Sequence, residues 1–256
     1  MSQASLRRRF ASGDPLFTSW MALPGALQAD VVSRADFEAM TIDMQHGLMG
    51  FSEMVALVNV SLSHAKPVLL RVPLEGWGLI GRALDVGAQG IIMPMVNTTA
   101  DAERLVRMTK YPPEGTRSWG SYASVSYPEF SPADYLKNAN AISMAFAMVE
   151  TRESLDAVDA ICATPGLDGV FVGPSDLSIS LSEGRSNDSQ VKETQEALRA
   201  ILAAAKKARI VAGIYCGSAE LALRYAGMGF NYLPIGSDAN YMAAGISTFL
   251  TGIRKG

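Results

Sequence analysis

Gly169-Val170-Phe171-Val172-Gly173-Pro174-Ser175-Asp176-Leu177-Ser178-Ile179 is a short apolar run that ends in a turn carrying a carboxylate. Gly169 to Val172 are apolar at alternate and intervening positions alike, the pattern of a strand covered on both faces in a parallel sheet. The pattern also occurs 26 residues earlier, where Ala145-Phe146-Ala147-Met148-Val149 ends in Glu150-Thr151. That separation holds one strand, one helix and two loops, the repeat of a parallel crossover unit. Two acids, Glu150 and Asp176, are therefore expected at neighbouring strand ends, in strands about 4.8 Å apart. One hard cation could bridge both carboxylates.

The same alternation extends over the chain on both sides of this pair. Apolar strand candidates fall at 16–22, 39–43, 67–72, 90–94, 142–149, 169–172, 210–215 and 232–235. Between and after them lie amphipathic stretches at 26–34, 52–63, 79–86, 99–108, 152–161, 191–208, 219–228 and 238–251. Strict alternation predicts an α/β protein with a parallel sheet, and eight repeats predict closure into a (β/α)8 TIM barrel. A doubly wound open sheet is the alternative. Helix starts agree locally: Thr99 precedes Asp101 and Glu103, and Thr151 precedes Arg152-Glu153. One connection, Tyr111 to Asn140, is far longer than the usual two to six or so residues and rich in aromatics, which predicts a lid or a subunit contact.

At 256 residues, 48% hydrophobic and 18% charged, the chain can bury one large core and reads as one domain, 1–256. The net charge of −3 and dispersed basic residues exclude nucleic acid as the expected partner. Arg7-Arg8-Arg9 is the one basic cluster; no apolar segment follows it, so it reads as the solvated face of a first helix rather than a targeting signal. No apolar run approaches the roughly 20 residues of a spanning helix, so no membrane contact is expected. Cys162 and Cys216 form no metal or disulfide pattern, which suits a cytoplasmic location.

In a barrel of this kind, chemistry collects where strands end. The second strand ends in Asp43-Met44-Gln45-His46-Gly47, and His46 is one of only two histidines; the other, His64, precedes the third strand and reads as structural. The third strand ends in Leu69-Leu70-Arg71-Val72-Pro73, the fourth in Pro94, and Asp85 lies on the helix before it. Lys66, Lys110, Lys206 and Lys207 are not at strand ends, which disfavours a Schiff-base mechanism.

Asp43-Met44-Gln45-His46-Gly47, Arg71-Val72-Pro73, Pro94-Met95-Val96, Tyr111-Pro112-Pro113-Glu114-Gly115-Thr116-Arg117, Glu150-Thr151-Arg152-Glu153 and Gly173-Pro174-Ser175-Asp176-Leu177-Ser178 resemble the HpcH/HpaI aldolase family, in order and over nearly the whole chain. The resemblance implies a class II pyruvate aldolase of the phosphoenolpyruvate/pyruvate superfamily, similar to 4-hydroxy-2-oxoheptanedioate aldolase. It implies reversible cleavage of a 4-hydroxy-2-oxo acid to pyruvate and an aldehyde; hydroxypyruvate is an alternative donor because a small substituent on the methyl carbon could fit. Glu150 and Asp176 are implied ligands of a divalent ion, Mg2+, Mn2+ or Co2+, and an oxygen-only donor set suits such an ion; helix capping is the other reading of both acids.

Arg71 is implied to stabilise the enolate and touch the donor, with a salt bridge to Glu150 or Asp43 as its structural alternative. His46 is the implied general base, acting through a metal-bound water or on the acceptor hydroxyl, with Asp43 and Asp85 orienting its ring. The backbone of Ser175 and Asp176, shaped by Gly173 and Pro174, is placed for the pyruvate carboxylate. Met148 stands where relatives typically carry Gln, which removes one expected polar contact. The family further implies a homohexamer, a trimer of dimers, with the C-terminal helix exchanged between subunits. Oxaloacetate decarboxylation, a citryl-type lyase and a non-catalytic barrel remain as alternatives, and an acidic acceptor would need a cation such as Arg117 or Arg82.

Overall fold

The computed structural model describes residues 6–254 except Ser121, Ala123, Ser124 and Pro128, so part of the long connection lies outside the described residues. Eight strands, β1 (Leu16–Met21), β2 (Ala39–Asp43), β3 (Val68–Arg71), β4 (Gly90–Met93), β5 (Met144–Val149), β6 (Gly169–Val172), β7 (Val211–Ile214) and β8 (Tyr232–Pro234), pair in parallel in sequence order. β8 returns to β1 and closes the barrel. The described helices are α1 (Leu6–Phe10), α2 (Ala26–Arg34), α3 (Phe51–Ser63), α4 (Leu79–Val86), α5 (Thr99–Thr109), α6 (Pro132–Ile142), α7 (Arg152–Asp156), α8 (Val158–Cys162), α9 (Pro174–Leu181), α10 (Lys192–Ala208), α11 (Ala219–Met228) and α12 (Asp238–Arg254).

Side-chain alternation divides the core in two. Along β5, Met144, Phe146 and Met148 fill the barrel, whereas Ala145, Ala147 and Val149 pack outward under the helices. The inner core is largely apolar, but one polar chain crosses it: Tyr232 Oη lies 2.7 Å from Thr41 Oγ1, which lies 3.2 Å from Thr18 Oγ1. Each hydroxyl finds a partner, as burial requires.

α1 is more than a solvated helix. Leu6 and Phe10 are buried against the N-terminal mouth of the barrel, with Phe10 5.9 Å from Phe146 and 5.7 Å from Tyr232 between ring centroids. Arg7 fastens the plug, bonding Asp168 at 2.6 Å and the carbonyls of Ala141 and Ser143 at 2.8 and 3.2 Å. Lys110, fully buried, approaches the same Asp168 carboxylate at 3.1 Å.

The expected fifth strand begins late because Ile142 ends α6, a helix inside the connection read as a loop. Its start signal is Ser131-Pro132: the Ser131 hydroxyl accepts from the Asp134 N–H at 3.1 Å, and proline occupies the first turn, where its missing N–H costs nothing. The expected helix at 152–161 is divided into α7 and α8 at Ala157, and the turn after β6 opens a separate helix, α9.

The two ends of the barrel sequence meet at Asp238. Its carboxylate accepts from the N–H groups of Ala22 and Leu23 at 3.0 and 3.1 Å and from the Gln28 amide at 2.5 Å. Beyond it α12 leaves the barrel wall. Met242, Ile246, Phe249 and Ile253, at helical spacing on one stripe, are 52 to 79% exposed. Leu27 and Val31 on α2 are exposed as well. No described helix is long and apolar enough to cross a membrane.

Candidate active site

Strand register assembles the first half of the site. Asp43 and Arg71 are direct partners across β2 and β3, at the C-terminal ends of both. Arg71 Nε and Nη2 donate to Asp43 Oδ1 and Oδ2 at 2.8 and 2.7 Å, a two-pronged pair with both residues buried. Burial alone would raise the Asp43 carboxyl, but the guanidinium and the N–H groups of His46 and Gln45 hold it below its usual range. Trp20 on β1, which pairs with Thr41 two residues before Asp43, donates to Asp43 Oδ2 at 3.4 Å and lies 4.9 Å below the Arg71 guanidinium. Sequence reading missed Trp20; its signal was an aromatic at an inward position two before the end of the first apolar run.

The β2 exit must be tight. A Cβ on Gly47 would lie 2.0 Å from the Asp43 carbonyl oxygen, so only glycine permits this turn. His46, exposed beside it, lines the pocket. Asp43 accepts from the His46 backbone N–H at 3.3 Å and not from the imidazole, so it fixes the loop rather than the ring. Asp85 is not brought to His46 either. It lies near the end of α4 with Arg117 Nη2 2.7 Å away, because α4 runs back toward the strand N-termini. The expectation that Asp85 orients His46 is not met within the chain. Gln45 Oε1 is buried with no partner among the described residues.

The second half comes from β5 and β6. Val149 pairs with Val172, so Glu150 and Gly173 leave the barrel side by side. A point one Cβ length from Gly173 lies 2.7 Å from Glu150 Oε2 and 3.5 Å from Asp176 Oδ2, so both carboxylates converge on the space that glycine leaves empty. Glu150 is buried, and Met95, in a left-handed backbone conformation with φ 55°, donates its N–H to Oε1 at 2.7 Å. Burial pushes the Glu150 carboxyl up to about 7; the Met95 N–H opposes this, Asp176 adds to it and Arg71 opposes it. The pair, Glu150 buried and Asp176 exposed, thus offers oxygen donors alone, which a divalent cation fits. α9 starts at Pro174 with no side-chain cap on Gly173, so the N–H groups of Ser175 and Asp176 face outward at a helix start.

The halves enclose one pocket of about 300 Å³, lined by Trp20, Ala22, Asp43, His46, Arg71, Phe171, Gly173, Pro174, Ser175, Asp176, Tyr215 and Ser237. Cys216 is no nucleophile: burial pushes its thiol up to about 12, and it donates to the Ile214 carbonyl at 3.4 Å. Lys110 is held at the opposite barrel mouth, and Lys66 is tied to the carbonyls of Ala35 and Phe37. His64 bonds Asp30 at 2.7 Å, away from the pocket.

Comparison with known proteins adds the lineage. The sequence profile described as HpcH/HpaI aldolase/citrate lyase matches residues 17–244. A hydroxypyruvate/pyruvate aldolase of Rhizorhabdus wittichii is 35% identical over 93% of this chain and 94% of its own length. A 4-hydroxy-2-oxo-heptane-1,7-dioate aldolase of Klebsiella pneumoniae is 30% identical over 91% of this chain and 88% of its own. The crystal structure of an HpcH/HpaI aldolase/citrate lyase family protein from Burkholderia cenocepacia superposes with a TM-score of 0.89 at 30% identity, over 98% of this chain and 99% of that one.

Proposed function

Because the chain belongs to the HpcH/HpaI aldolase/citrate lyase family and is an aldolase-type lyase, we propose that it reversibly cleaves a 4-hydroxy-2-oxo acid to pyruvate or hydroxypyruvate and an aldehyde, with a divalent ion held by Glu150 and Asp176. The observation that carries this reading is the convergence of those two carboxylates on Gly173, at the edge of a pocket that also holds Arg71. When bound, the ion, Mg2+, Mn2+ or Co2+, supplies positive charge to the keto oxygen of the donor.

The chain's own groups do the rest. In cleavage His46 takes the proton of the 4-hydroxyl, the electron pair of the C3–C4 bond moves toward the keto group, and the aldehyde departs. The enolate left behind receives a proton at C3 to give the 2-oxo acid. Arg71 spends two N–H groups on Asp43 and keeps three, one set of donors for the charge that develops on the keto oxygen. The N–H groups of Ser175 and Asp176, with Gly173 and Pro174 setting the turn, receive the donor carboxylate at the α9 start.

Assembly and location complete the reading. The exposed stripe of α12 and the exposed Leu27 and Val31 support exchange of α12 between subunits of a homo-oligomer, a hexamer built as a trimer of dimers. Two buried, unpaired cysteines suit the cytoplasm. The test is exchange of pyruvate methyl protons in heavy water, followed by NMR on chelator-stripped protein with and without Mn2+. Exchange only with metal is expected. Exchange without metal, or none in either condition, refutes the proposal.

A further inference from the structure

Pro94-Met95-Val96 leaves the C-terminal end of β4 beside the carboxylate pair, yet none of its side chains lines the pocket. Pro94 and Val96 are buried on either side of Met95, whose side chain is 41% exposed. The unusual part of Met95 is its backbone: φ is 55°, a left-handed conformation that residues other than Gly, Asn and Asp rarely take. The other non-glycine residues of positive φ among those described have local reasons. Ala65, Glu183 and Arg209 stand at or just past the C-terminal ends of α3, α9 and α10, where a left-handed residue closes a helix. Glu75 opens the single turn at Gly76–Gly78. Met95 closes no helix: β4 ends at Met93 and α5 starts at Thr99.

What the conformation does achieve is a hydrogen bond. It turns the Met95 N–H onto Glu150 Oε1 at 2.7 Å, the length of a charge-assisted bond. Oε2 is then the oxygen that faces the Gly173 space, 2.7 Å from where a Cβ would lie. The neighbouring backbone is fastened as well. Thr151 Oγ1 donates to Asn97 Oδ1 at 2.7 Å, joining the loop after β5 to the loop after β4, and the Glu150 N–H donates to Ser154 Oγ at 3.2 Å.

Resting on the aldolase reading above, we infer that Met95 is a positioning residue, whose left-handed backbone and not its side chain holds Glu150 with Oε2 toward the ion. A carboxylate without that N–H would rotate about its terminal bonds, and fixing it before the ion arrives is preorganisation, which is read as affinity.

Substitution separates backbone from side chain. Met95→Gly removes the side chain and suits positive φ, Met95→Asn keeps a side chain and tolerates it, and Met95→Ile keeps apolar bulk that β-branching bars from that region. Calorimetric titration of Mn2+ into each chelator-stripped, full-length protein reads the affinity, circular dichroism checks the fold, and pyruvate methyl-proton exchange is followed on the same samples. The Gly and Asn variants should bind within about twofold of wild type and the Ile variant about tenfold or more weakly, the loss of one hydrogen bond to a charged group. Met95→Thr, smaller and also β-branched, takes the place of the Ile variant if that one does not fold. Retained binding in the Gly variant is the outcome that a packing role for the side chain would not give. A β-branched variant within about twofold of wild type, or Gly and Asn variants as weak as it, overturns this inference alone. Wild-type protein that binds no Mn2+, or shows no metal-dependent exchange, overturns the aldolase reading and this inference with it.

Discussion

Replacing Gly173 by alanine tests the centre of the site with one methyl group. The backbone there, at φ −88° and ψ 93°, is open to any residue, so the effect must come from space. The new carbon would lie 2.7 Å from Glu150 Oε2, 3.2 Å from Met148 Cε and 3.5 Å from Asp176 Oδ2. Glu150 cannot swing away freely, because it is buried and its other oxygen is held by the Met95 N–H at 2.7 Å. Overpacking of this kind costs about 1–3 kcal/mol. With about 1.4 kcal/mol for each tenfold, Mn2+ affinity should fall about 5- to 150-fold. Calorimetric titration of Mn2+ into chelator-stripped protein reads the constant, and circular dichroism checks the fold. Gly217→Ala, where a Cβ meets nothing within 4 Å, is the control and should match wild type. Gly173→Ala binding Mn2+ within twofold of wild type would refute the assignment of this space to the ion.

The Glu150 carboxyl, raised from its ordinary 4.5 to about 7, contributes stability below its unfolded value that is lost as pH rises through about 7. Metal-free protein should accordingly weaken over that window in urea titrations, and Mn2+ binding at pH 6 should release a proton that binding at pH 8 does not, measured in buffers of different ionisation enthalpy. Arg71→Ala should reduce kcat about 10²- to 10³-fold, the loss of roughly 3–4 kcal/mol of charge stabilisation, while leaving Mn2+ binding detectable. Arg7→Ala should lower stability by about 1 kcal/mol, a modest figure because the side chain is 39% exposed, and leave the exchange rate untouched. Ile246→Glu with Phe249→Glu should dissociate the oligomer in light-scattering chromatography, and an unchanged mass would remove α12 from the interface.

The barrel was legible because a strand covered on both faces has to be short, apolar and separated from the next by a helix, and this chain repeats that rule eight times. The nearness of Glu150 and Asp176 was legible because acids interrupt two such runs at their ends, and both carboxylates come to Gly173. α6 was not: its apolar positions are sparse, and Tyr135 and Ala139 are buried by contacts with the connection itself rather than by a regular stripe. Arg7 looked like a solvated charge because its partner Asp168 is 161 residues away in sequence. Asp85 misled for a related reason. Nearness in sequence to a strand end says nothing about which barrel mouth a helical residue occupies, and a residue seven positions into a returning helix is already near the other one.

The Asp238 clasp bears on how the protein is born. It joins the exit of the first strand to the start of the last helix, and it borders the pocket through Ala22 on one side and Ser237 on the other. Contacts this distant in sequence form late and slowly. A growing chain can lay down β5 and β6 with both acids and still lack this wall until residue 238 arrives. The seam therefore ties one wall of the pocket to closure of the whole barrel: Ala22 and Ser237 take their places on either side of it only when the first strand and the last helix are joined.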